Sequence, residues 1–162
     1  MNYWNYTVIG ATALLTVAGC QSTEPYQPAV VTNVVEVSAS QQEIYTKARQ
    51  WFSEYFVSGE SVIDYEDAES GTIIGNGITT IGVEEPFGLV AFKVDFTMRV
   101  DTKDGKFKAE YKINKHLNVG SGQSVEMYSV TEERKAKAKK AVEAITADLR
   151  QYIDSAPSSD DW

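Results

Sequence analysis

Between Leu89 and Asp101 the chain alternates apolar and polar residues with a period of two. Val90, Phe92, Val94, Phe96, Met98 and Val100 are apolar; Lys93, Asp95, Thr97, Arg99 and Asp101 stand between them. Successive side chains of a β-strand point to opposite faces. This run therefore predicts a long strand with one buried and one wet face, as antiparallel sheets have. Asp104-Gly105 is a hairpin turn signal. The return strand places Phe107, Ala109, Tyr111 and Ile113 on its buried face. Matching buried faces pairs Val100 with Ala109, Met98 with Tyr111 and Phe96 with Ile113. The same register sets Arg99 opposite Glu110 and Asp101 opposite Lys108, both favourable pairs. A slip of one residue would bury charge, so the register is strongly specified.

The remaining elements follow from period and punctuation. Val34-Val35-Glu36-Val37 reads as a short strand. Ser40-Gln41-Gln42-Glu43 is a capping box, and Ile44, Ala48, Trp51, Phe52, Tyr55 and Phe56 form a helical stripe that ends before Gly59. Val62 to Glu66 predicts a strand, Ser70-Gly71 a turn, and Thr72 to Val83 a β-rich run in which Gly75 and Gly77 suggest a bulge or bend. Val119 to Ser124 reads as a Gly/Ser loop. A second capping box, Ser129 to Glu132, opens a last helix with its stripe at Ala138, Val142, Ile145, Leu149 and Ile153, and Ala156-Pro157 stops it. The order β-α-β-β-β-β-α with one-sided strands predicts an α+β fold. It is a curved antiparallel sheet of about five strands with two helices on one face.

The N-terminus gives an address. Residues Thr7 to Gly19 carry no charge and form a run too short to span a bilayer comfortably, as in a secretory signal. The run ends in Val17-Ala18-Gly19-Cys20, which resembles the lipobox of bacterial lipoproteins. That resemblance implies cleavage before Cys20 and acylation of its thiol with diacylglycerol or palmitate. Met1 to Tyr6 lacks the Lys or Arg usual in such a signal, and a buried N-terminal element is the competing reading. In Gram-negative lipoproteins an Asp after the cysteine resembles an inner-membrane retention signal; Gln21 stands there instead, so in a host with an outer membrane the resemblance implies sorting to that membrane, facing the periplasm. Signal 1–19 is then followed by a lipidated cysteine and proline-containing tether over 20–32, a domain over 33–155 and an acidic tail over 156–162.

Charge excludes one partner class. Lys and Arg number 15 against 23 Asp and Glu, a net charge of −8, so a basic surface for nucleic acid is not available. With one Cys, disulfides and thiol-based metal sites or nucleophiles are excluded from the domain. The single His, His116, supports no triad and reads as a surface or loop residue. Asp64, Glu66, Asp67 and Glu69 cluster at a turn without Ca²⁺-loop spacing, with Asp64 and Glu66 sharing a strand face. Glu84 and Glu85 read as a charged loop. The basic run Arg134 to Lys140 could meet anionic head groups or an acidic partner, or form a solvated helix face. Trp51 and its aromatic neighbours read as core. The wet sheet face carries Lys93, Arg99, Lys106, Lys108 and Lys112 among Asp95 and Glu110. Lys93, Arg99, Lys108 and Lys112 are the candidate partner-binding residues.

One family resemblance covers roughly residues 34–115, with the last helix as a further candidate. The helix with Tyr45, Trp51-Phe52 and Phe56, the run Gly71-Thr72-Ile73-Ile74-Gly75-Asn76-Gly77 and the hairpin from Phe96 to Lys108 resemble the bacterial domain of unknown function numbered 4468. The resemblance implies a TBP-like fold and carries no activity; DNA binding does not transfer with a fold name. The resulting expectation is a lipid-anchored envelope protein with a non-catalytic domain that binds an envelope protein or small ligand, without cofactor, metal or nucleic acid. An envelope-polymer hydrolase or transferase, or a structural accessory subunit, is the alternative.

Overall fold

In the computed structural model, which describes residues 28–56, 63–84 and 90–155, eight elements follow one another. They are β1 (Ala29–Glu36), α1 (Gln41–Tyr55), β2 (Ile63–Asp67), β3 (Thr72–Glu84), β4 (Val90–Lys103), β5 (Lys106–Gly120), β6 (Gln123–Glu126) and α2 (Glu132–Asp154). The sheet order is β1-β5-β4-β3-β2, every pair antiparallel, and β6 pairs with β5 beyond the end of β1.

The alternating segment forms the centre of this sheet. β4 and β5 pair with Val100 opposite Ala109, Met98 opposite Tyr111, Arg99 opposite Glu110 and Phe96 opposite Ile113, as the buried-face argument requires. Beyond Phe96 the register shifts by one at Asn114, which returns His116 to the buried face. Val94, Phe96, Met98 and Val100 are fully buried beneath the two helices. Each such side chain contributes on the order of 1.5–3 kcal/mol through burial. Ile44, Ala48, Trp51 and Phe52 of α1 and Ala138, Val142, Ile145, Leu149 and Ile153 of α2 complete the core. Trp51 Nε1 donates to Asp148 Oδ2 at 2.7 Å, so the largest core ring has its polar atom satisfied where the helices meet.

Several local features differ from the sequence expectation. β1 starts at Ala29, within the segment read as tether, because Ala29 to Thr32 continue the ladder along β5 as far as Ile113. The Val119–Ser124 segment is a β-hairpin: Ser121 and Gly122 both take positive φ, 50° and 76°, as a two-residue turn needs, and β6 returns along β5. The box at Ser40 and Glu43 forms, whereas α2 starts on Thr131, whose side chain accepts from the Arg134 backbone N–H. That later start puts Glu132 and Glu133 in the first turn, where the helix dipole favours them. Gly59, Val62, Glu85, Leu89, Ala156 and Pro157 lie outside the described residues, as do segments 1–19 and 156–162.

Gly75 and Gly77 do not break β3; the register shifts fall at Asp64 of β2 and Ile81 of β3. Gly77 has a packing reason instead. A Cβ there would meet Phe56 and Phe96 ring atoms at 2.8 Å. Gly71 sits in the turn before β3 at φ +70°, and its carbonyl accepts from both the N–H and the hydroxyl of Thr102.

Candidate functional site

Among the described residues no element covers the sheet face opposite the helices. Odd-numbered residues of β4 and even-numbered residues of β5 before the bulge point onto it, and β3 adds Thr72, Ile74 and Asn76. Two polar networks lie across it. In one, Asn114 Nδ2 donates to Asp95 Oδ1 and Thr97 Oγ1, both at 3.0 Å, and Thr97 Oγ1 donates to Asn76 Oδ1 at 2.7 Å. Asn76 in turn donates to Asp64 of β2.

The other network centres on Asp101. Arg99 lies 2.8 Å from its Oδ1, Lys108 2.9 Å from its Oδ2, and Thr72 Oγ1 donates to Oδ1 at 3.0 Å. Burial of this carboxyl opposes ionisation, but the hydrogen bonds from Arg99, Lys108 and Thr72 outweigh it and bring its pKa down to about 2. Asp101 stands in a groove of about 520 Å³ that also meets Val34, Arg99, Lys103, Lys106 and Lys108.

Lys103 and Lys106 are directly opposed at the hairpin end. Like charges so placed repel. The nearest acid in sequence, Asp104, is turned away: its Oδ1 accepts the Gln41 N–H at the start of α1, 2.8 Å away. No ion pair joins Lys103 or Lys106 among the described residues. The groove thus holds four cations around the carboxylate of Asp101, with Glu36 of β1 standing opposite Lys106.

The structure divides the predicted set. Arg99 and Lys108 meet through Asp101. Lys112 lies further along the same face, opposite Thr97 and Val30. Lys93 stands opposite Leu117 and Thr80, six residues up β4 from Arg99, about 20 Å at strand rise. Lys93 is therefore on the face and outside the groove. Lys103 belongs to the groove and was missed, although the two-residue turn at Asp104-Gly105 already sets it opposite Lys106.

Other candidates resolve differently. His116 is buried in β5, contrary to the surface reading, because the Asn114 bulge turns it inward. Burial first, then Arg134 and Lys135, hold its pKa below the usual value. Asp64 and Glu66 do not share a face: the bulge at Asp64 separates them, and Glu66 pairs with Arg49 of α1 at 2.6 Å. In the basic run, Lys135 pairs with Glu132, Lys137 with Glu133 and Lys139 with Glu143, and Arg134 lies 4.1 Å from the Phe92 ring centroid. Its charge is largely compensated on the same helix. No group of three His, Cys, Asp or Glu among the described residues is arranged to hold a metal ion.

Residues 32–114 match the family described as a domain of unknown function (DUF4468) with TBP-like fold. The chain belongs to this family. The matched span of the DUF4468 domain includes the whole groove and ends before α2. A solved DUF4468 family protein from Bacteroides ovatus ATCC 8483 is 19% identical with a TM-score of 0.56, over 86% of this chain and 94% of that one. A TBP-like protein from Parabacteroides distasonis ATCC 8503 is 13% identical with a TM-score of 0.57, over 84% of this chain and all 100% of that one. At these identities the likeness is one of fold. No curated protein matches the sequence.

Proposed function

We propose that this DUF4468 chain is a lipid-anchored, non-catalytic protein of the bacterial cell envelope whose open sheet face binds an anionic partner. The observation that carries the binding half is the groove, where Arg99, Lys103, Lys106 and Lys108 surround the carboxylate of Asp101. In a protein of net charge −8, local positive charge of this kind steers anionic groups to one place. The anchor rests on Val17-Ala18-Gly19-Cys20 alone. Among the described residues no helix is long and apolar enough to cross a membrane.

Each half has its own test. Cys20→Ser abolishes labelling by radioactive palmitate; a variant labelled as strongly as the wild type overturns the anchor. Reversal of Lys103, Lys106 and Lys108 to Glu abolishes co-purification of envelope partners, while the same reversal at Lys135, Lys137 and Lys139 leaves it intact. Loss of partners only in the second variant moves the site to α2.

A further inference from the structure

The outer edge of β1 meets no other strand among the described residues. Such an edge presents unpaired N–H and C=O groups, and proteins usually block it with Lys, Pro, a bulge or a very short strand. β1 uses none of these. Its eight residues, Ala-Val-Val-Thr-Asn-Val-Val-Glu, pair with β5 in unbroken register and carry one charge, at the end. Val30 and Val34 on the open face are 61% and 65% exposed.

The other side of this edge is also self-complementary. A groove of about 380 Å³ separates β1 from α2, and Asn33 Nδ2 donates across it to Thr146 Oγ1 at 3.2 Å. Glu143, Ala147 and Arg150, at i, i+4 and i+7, lie on one face of α2 and line this groove. Thr146 and Ala147 are midway between the acid and the base. The contacts Glu143 and Arg150 make within their own helix are loose, 3.8 Å to Lys139 and 3.4 Å to Asp154.

We propose that two copies of this chain pair edge to edge through β1, about a twofold axis passing beside Asn33 and Ala147. That axis runs the two β1 strands antiparallel, with Thr32 opposite Val34 and Val31 opposite Val35 of the second copy. Open-face residues then meet open-face residues, as the strand period demands. The same axis lays the two α2 helices antiparallel, with Glu143 of each copy against Arg150 of the other and the small Ala147 at the crossing. Each patch is its own complement, the condition for an isologous dimer. Sheet edge and helix face require the same axis, although neither determines the other's sequence. The dimer joins the two open faces into one surface and is independent of what binds there.

Sedimentation velocity on the full-length chain in a mild, density-matched detergent tests this. The expected result is a concentration-dependent dimer. Arg150→Glu sets like charges together twice per dimer and weakens association at least tenfold, and the double variant Glu143→Arg/Arg150→Glu restores it. Backbone amides of β1 exchange slowly in the wild-type dimer and faster in Arg150→Glu. A monomer up to about 100 μM, well above the micromolar range of ordinary weak complexes, overturns the proposal. So does a dimer indifferent to Arg150→Glu, which would place the contact elsewhere.

Discussion

Asp104 Oδ1 accepts the Gln41 backbone N–H at 2.8 Å, joining the tip of the β4–β5 hairpin to the first turn of α1. The contact satisfies a helix N–H that has no partner within the helix and sets negative charge at the positive end of its dipole. It also keeps that carboxylate away from Lys103 and Lys106. Asp104→Ala is expected to cost about 1 kcal/mol, the usual loss for a helix N-terminal cap. The urea midpoint reads it, and an unchanged midpoint would show that water replaces the carboxylate without loss.

The two faces of the central hairpin differ in energy. Phe96 is fully buried against Gly77, Phe56 and Tyr111. Phe96→Ala should cost about 3–5 kcal/mol. Lys112→Ala, on the open face one strand away, should stay within about 0.5 kcal/mol. Equal shifts in denaturant midpoint would mean that the faces are exchanged.

Asp101 makes stability depend on acid. Its folded pKa, about 2, lies below the ordinary 3.8, so the native state binds its proton less readily than the unfolded chain. The stabilisation is complete above about pH 4 and is lost as pH falls through 2. Arg99 and Lys108 are 46% and 39% exposed, and screening reduces the effect to the order of 1 kcal/mol. Asp101→Asn lacks this stabilisation. The gap in unfolding free energy between wild type and variant therefore closes between pH 4 and pH 2; a constant gap contradicts the assignment.

His116 acts in a different window. Burial, reinforced by Arg134 and Lys135, lowers its folded pKa below the ordinary 6.5. The unfolded chain then takes up a proton that the native state resists, so stability falls as pH drops below about 6.5. It is the chain's single histidine, which makes the window specific. His116→Leu should flatten the pH dependence of the thermal midpoint between pH 6.5 and 5. A slope equal to that of the wild type would trace the loss to other groups.

The fold was legible where neighbouring residues constrain one another through a period. The β4–β5 register followed from matching buried faces, because a slip would invert every side chain. The stripe from Ala138 to Ile153 located α2 for the same reason. What escaped depends on contacts between distant residues. The bulge at Asn114 leaves only one mark in the local pattern, the charged Lys115 at a position that strict alternation would bury, and without the bulge His116 reads as a surface residue. Ser121 reads as loop in sequence because its positive φ is not a property of serine. Gly77 reads as a bend in sequence because Phe56 and Phe96, which exclude a side chain there, lie far off in sequence. The candidate site was half legible. Alternation placed Lys93, Arg99, Lys108 and Lys112 on one face, but only pairing with Asp101 and the turning away of Asp104 show where positive charge remains.

That remaining charge separates two positions on the same face. Lys106 lines the groove between Lys103 of β4 and Glu36 of β1 and makes no ion pair among the described residues; Lys93 stands about 20 Å along β4 from Arg99, by strand rise. If the anionic partner docks in the groove, Lys106→Glu weakens its capture from envelope extracts several-fold, and raising salt from 50 to 300 mM weakens wild-type capture in the same direction. Lys93→Glu has little effect, because two Debye lengths at about 0.1 M salt separate it from the groove. Both side chains are on the surface, so unfolding midpoints should stay within about 0.5 kcal/mol of wild type and exclude misfolding as the cause. Equal loss in the two variants would spread the contact over the whole sheet face. Loss in Lys93→Glu alone would move it to the far end of β4, beside Leu117 and Thr80.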